Sequence, residues 1–246
     1  MKHVTDWHKT LAKPDTYASN WDWCVEHSEY HFDDSVQDQP GDWFDILGTF
    51  QGDWAEERDR LVAESAPVNW ATRKFYGDAD TESPMLEQEE YDIVQGGGDP
   101  KELMLTNMND GWETYPTLYA MMDYFGLEVS GVDGAKKRGH VQLTGQMFNR
   151  HIDKLWDRCP DDPERVARIT VMLDDWQPGQ FYMYGNIVYS NWKAGEVHIF
   201  DWPNVPHCTA NASNTPRAVL QVTGLKTDRT REILKNASKD RVFKLA

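Results

Sequence analysis

Apolar residues at Leu118, Met121, Met122 and Phe125 recur at steps of three and four, which predicts one face of a helix over residues 115–127. Thr114 can cap this helix, Pro116 suits its first turn and Gly126 can end it. It is expected to pack on the outside of the sheet that follows. Residues 53–64 combine good helix formers with Asp53 as an N-cap and acidic residues in the first turn, predicting a short surface helix. After Gly139 the pattern changes to short β-type runs, with strands predicted near 140–149, 166–173, 180–190, 196–200 and 216–223. Turns fall at Trp176-Gln177-Pro178-Gly179 and Lys193-Ala194-Gly195, and Asp228 to Lys235 reads as a closing helix. Strands at this spacing, without helices between them, predict a sandwich or barrel: a mainly β protein with flanking helices.

Two stretches have no such periodicity. Residues 1–50 mix Trp21, Trp23, Tyr30, Phe32, Trp43 and Phe44 with acidic residues and predict no definite element. Residues 77–100 are polar and acidic and end in Gly96-Gly97-Gly98-Asp99-Pro100. No Lys-Ser/Thr follows those glycines, so they read as a connection or lid rather than a phosphate loop. The resulting division is an N-terminal extension over 1–138, with helices packing on the core, and a catalytic core with a C-terminal helix over 139–246.

Charge narrows the partners. The chain has 41 acidic against 25 basic residues, a formal charge of −16, which disfavours nucleic acid held through many phosphate contacts. Cys24, Cys159 and Cys208 are widely spaced and include no Cys-x-x-Cys pair, so neither a disulfide framework nor a thiolate zinc site is indicated. The first residues lack the apolar run of a signal peptide and no run approaches a membrane span, so a soluble cytoplasmic protein is expected. Most of the 11 tryptophans are expected to fill the core.

The candidate chemistry lies in Asn149-Arg150-His151-Ile152-Asp153 and in the distant stretch from Gly195 to His207. His151 and Asp153 are two residues apart, so an extended chain directs both side chains to one face. A second histidine, His207, completes three ligands on one face of an octahedron and leaves the opposite positions open, as an Fe(II) oxygenase site requires. A His-x-Asp triplet alone is common by chance; the distal segment gives it weight.

That segment runs Gly195, Val197-His198-Ile199-Phe200, Asp201-Trp202 and His207, followed by Thr215-Pro216-Arg217. Together these motifs, over roughly residues 139–225, resemble the Fe(II)- and 2-oxoglutarate-dependent oxygenases, including their aspartyl/asparaginyl β-hydroxylase-like and prolyl-hydroxylase-like branches. The resemblance implies a double-stranded β-helix (jelly-roll, cupin-like) core, with His151, Asp153 and His207 as metal ligands and Arg217 holding the co-substrate. A dicarboxylate chelating a metal through its 2-oxo acid end leaves a far carboxylate in an apolar barrel, and a guanidinium suits it. Arg168 matches a position where some members place a second co-substrate-binding arginine; a surface salt bridge is the alternative. Tyr182 and Tyr184 alternate on one strand, where they supply a co-substrate-binding hydroxyl or simply pack the sheet. His198 reads as a strand residue, His140 as a structural histidine and Cys208 as a small buried side chain.

The implied activity is a hydroxylase or related oxygenase using Fe(II), 2-oxoglutarate and O₂ on a peptide side chain or small metabolite, with a cationic or amine-bearing substrate favoured by the acidic surface. Two alternatives are a cupin-like metal-binding domain or isomerase without redox chemistry, and an interaction protein that has lost its chemistry.

Overall fold

The structure is a computed structural model that describes residues 44–76, 105–130 and 135–245, apart from positions 152, 154, 156–158, 160, 186, 203 and 204. Within 66–76, 105–107 and 146–151 it describes the backbone alone. The glycine-rich segment at 96–98 and the aromatic stretch before residue 44 lie outside the described residues.

In chain order the elements are β1 (Phe44–Gln51), α1 (Ala55–Tyr76), β2 (Leu105–Asn107), α2 (Pro116–Asp123), β3 (Lys136–Gln142), β4 (Gln146–His151) and β5 (Val166–Met172). There follow β6 (Gln180–Tyr184), β7 (Ile187–Tyr189), β8 (Glu196–Phe200), β9 (His207–Asn211), β10 (Arg217–Leu225), α3 (Asp228–Lys235) and β11 (Val242–Lys244). A seven-stranded sheet runs β11-β1-β8-β5-β10-β3-β2, and a four-stranded sheet runs β4-β9-β6-β7. From β3 to β10 the chain passes back and forth between them, which is the path of a double-stranded β-helix.

Period-two alternation divides the large sheet into two faces. Ala167, Ile169 and Val171 of β5 and Ala218, Leu220 and Val222 of β10 join Leu61 of α1 and Leu118, Met121 and Met122 of α2 in one apolar cluster. Their neighbours Val166, Met172 and Val219 turn the other way, toward Tyr182, Tyr184, Trp192 and Phe200 between the sheets. The helix over α2 therefore packs outside the sheet, as its spacing predicts. Gly139 permits the approach of α1: a Cβ there would stand 2.6 Å from Leu61 Cδ1.

Three boundaries differ from expectation. Strand β1 lies between β8 and β11, and β2 pairs with β3, so residues before 139 supply strands of the same sheet, and the 138/139 division falls inside β3. Strand β1 carries no local signal because its pairing partners, β8 and β11, are distant in the chain. The helix begun at residue 55 continues to Tyr76. No side chain at the start of α2 caps it; instead Glu57 of α1 accepts from the backbone N–H groups of Thr117 and Leu118, at 3.0 and 2.9 Å. A carboxylate there also meets the positive end of the helix dipole.

Candidate functional site

Strand β4 ends at His151, which stands opposite His207 in the register of β4 with β9. The His151 side chain lies outside the described residues, so the position expected to supply a ligand is located by its backbone alone. Asp153 follows two residues later and is buried, as is His207 at the start of β9. His207 Nε2 lies 3.7 Å from Asp153 Oδ2. The other ring nitrogen, Nδ1, is 3.2 Å from the Val205 carbonyl and must donate to it. That bond places a proton on Nδ1, so Nε2, on the Asp153 side, is the ring nitrogen that would bind a metal. Two ligands at right angles, each about 2.1 Å from a metal ion, stand about 3 Å apart. The observed gap exceeds this by less than an ångström, so an imidazole and a carboxylate stand where a divalent metal ion could take both.

Arg168 of β5 reaches the same carboxylate. Its Nη1 donates to Asp153 Oδ2 at 2.6 Å, and its Nε donates to Thr223 Oγ1 of β10 at 3.0 Å. The pair is largely buried, with side-chain exposures of 15% and 10%, so it is not the surface salt bridge considered from sequence. Thr223 was not singled out in the sequence. Its signal was the two-residue period of β10, which puts it on the same face as Arg217.

Arg217, 1% exposed, lies deeper between the sheets. Its Nη1 donates to the carbonyls of Phe181 and Ala210, at 3.1 and 3.2 Å, and its Nη2 donates to Gln142 Oε1. The guanidinium lies 4.3 Å from the centroid of the Tyr182 ring. Every one of these partners is formally neutral, Nε has no hydrogen-bond partner among the described residues, and none of their carboxylates forms an ion pair with Arg217. Burial pushes its pKa down from the ordinary arginine value. An enclosed cation without an anion is costly unless something else supplies the charge.

Tyr182 and Tyr184 link the two sets of groups. Their rings are parallel at 5.7 Å, and Tyr184 stacks on His207 at 6.0 Å. Tyr184 Oη and His198 Nε2 are 2.7 Å apart. Burial raises the Tyr184 pKa well above the ordinary phenol value, so the phenol stays protonated and donates. His198 is thus an acceptor inside the barrel, held neutral by a pKa lowered to about 3 through burial and then through Arg217. His140 on β3 is lowered likewise to about 3, by burial first and then by Arg217, Arg138 and Arg168. The chain as a whole is acidic, yet the barrel interior holds the guanidinium groups of Arg168 and Arg217. Among the described residues no group of three or more His, Cys, Asp or Glu is arranged to hold a metal, and Cys159 and Cys208 are not joined in a disulfide.

No protein-family model matches the chain, and no curated protein matches it. Among solved structures, the non-heme monooxygenase ThoJ, as a nickel complex, aligns over 75% of this chain and 74% of its own at 13% identity and a TM-score of 0.40. A cupin 2 conserved barrel domain protein from Salinispora arenicola aligns over 43% of this chain and 75% of its own, at 10% identity and a TM-score of 0.28. A predicted oxalate decarboxylase from Thermotoga maritima aligns over 37% and 67%, at 18% identity and a TM-score of 0.28. The strand order itself gives this chain a double-stranded β-helix fold. No described helix is long and apolar enough to cross a membrane.

Proposed function

We propose that the protein is an Fe(II)- and 2-oxoglutarate-dependent oxygenase, with His151, Asp153 and His207 as metal ligands and Arg217 as the receptor for the far carboxylate of the co-substrate. The observation that carries this reading is the buried guanidinium of Arg217 without a carboxylate partner. Across the barrel the Arg217 guanidinium lies over the Tyr182 ring, and Tyr182 pairs with Thr209, two residues along β9 from His207.

The metal with O₂ and the 2-oxo acid would supply the oxidising chemistry, which no side chain can provide. This chain's residues do the rest. Asp153 would offset the metal's charge, the Val205 carbonyl would hold His207 in the ligating tautomer, and Arg217 with Gln142 would orient the co-substrate. The substrate is a peptide side chain or a small metabolite. A second reading, a cupin-like metal-binding domain without co-substrate, draws on the three neutral acceptors that already hold Arg217.

Anaerobic titration with Fe(II) and then 2-oxoglutarate separates the two. A visible charge-transfer band in wild type, shifted to about a hundredfold higher 2-oxoglutarate in Arg217→Met, is the expected result. Fe(II) binding with no band at any 2-oxoglutarate concentration would leave the cupin-like reading.

A further inference from the structure

The Asp153 oxygen that faces His207 is the oxygen that Arg168 occupies. One carboxylate oxygen therefore serves two cations that repel each other, the guanidinium now in place and the metal of the reading above. We propose that Arg168, anchored by Thr223, is a lock on Asp153 that opposes metal binding until a carboxylate on the incoming organic ligand draws the guanidinium away. This inference rests on the metal-site reading and adds to it that metal and carboxylate ligand bind cooperatively.

Three features of the pair support a movable guanidinium. Its Nε is held by the Thr223 hydroxyl, so the side chain has a pivot that does not depend on Asp153. Its Nη2 has no hydrogen-bond partner among the described residues, so an edge of the fork is open to a planar, bidentate acceptor. The pair retains some exposure on both side chains, whereas Arg217 is sealed. While no metal is bound, Arg168 also meets the need of a buried carboxylate for a partner. By linkage, whatever carboxylate removes Arg168 must tighten metal binding by the same factor as the metal tightens that carboxylate.

The opposing possibility is that Arg168 supports Asp153 from behind, as the hydrogen-bonded partners of metal ligands often do. The two differ in sign. Mn(II) binding to the full chain is measured by calorimetry for wild type, Arg168→Gln and Thr223→Val, each alone and with pyruvate or succinate. Pyruvate presents a 2-oxo acid without a far carboxylate, so Arg217 does not enter; succinate presents carboxylates without the oxo group, and the two arms tell which source releases the lock.

The lock requires Arg168→Gln to bind Mn(II) about tenfold tighter than wild type, and the tightening by pyruvate or succinate to shrink about tenfold relative to wild type. Thr223→Val, which leaves the Asp153 contact in place, should bind Mn(II) a few-fold tighter and covers the case in which the arginine variant does not fold. Mn(II) binding that is equal or weaker in the variants overturns the lock and leaves the metal site standing, as does tightening by both carboxylates that is unchanged. Absence of Mn(II) binding in all three proteins removes the metal reading and the lock with it.

Discussion

The two faces of β5 and β10 are built from alternate residues of the same strands and obey different rules. The outward set, Ala167, Ile169, Val171, Ala218, Leu220 and Val222, is apolar and packs against α1 and α2. The inward set includes Arg168, Thr170, Arg217 and Thr223, buried polar and charged groups that need partners. The outward face converts buried area into stability, whereas the inward face spends stability to hold charges where water cannot screen them. A substitution should therefore show which face it is on by what it damages.

The largest effect expected is from His207→Ala, which should lower metal affinity on the order of a hundredfold or more with a small change in thermal midpoint. Calorimetry with Mn(II) beside a melting curve checks both halves, and a variant that melts early but binds metal normally would erase the contrast. Leu61→Ala, on the helix that covers the outward face, should cost about 2–5 kcal/mol in denaturant unfolding, with metal affinity of the folded protein unchanged.

Acid response tests the inward face by stability. His198 is neutral in the fold with a pKa near 3, while in the unfolded chain it takes a proton near pH 6.5. The unfolded state binds more protons between these values, so stability falls as pH drops through that window. The slope is about 1.4 kcal/mol per pH unit for one histidine. His198→Gln, which can still accept from Tyr184, should flatten that limb by this amount in urea midpoints taken from pH 6.5 to 4. An unchanged slope would remove the histidine from the acid response. The smallest effect is on the outer layer: Glu57→Ala should cost about 1 kcal/mol by uncapping α2, again measured by denaturant unfolding.

Much of the fold was legible because its signals are local. The two-residue period marked β5, β6, β8 and β10, and Thr227 with Thr230 forms the capping box of a helix already evident in Asp228–Lys235. Strand β9 was not legible. His207-Cys208-Thr209-Ala210-Asn211 has weak strand propensity and becomes a strand because β4 and β6 pair with it on both sides. The cap of α2 was misjudged for a related reason: Thr114 is adjacent in sequence, but Glu57 arrives from another helix.

The candidate site divides along the same line. The residue types and their order determined that His151, Asp153, His207 and Arg217 belong to one chemical hypothesis, because ligand chemistry depends on side-chain identity and short spacing. Only the tertiary structure put Arg168 on Asp153, left Arg217 buried without a carboxylate partner and turned His198 toward Tyr184. Those relations join strands that lie far apart in the chain, and no local pattern encodes which neighbour a buried charge will meet.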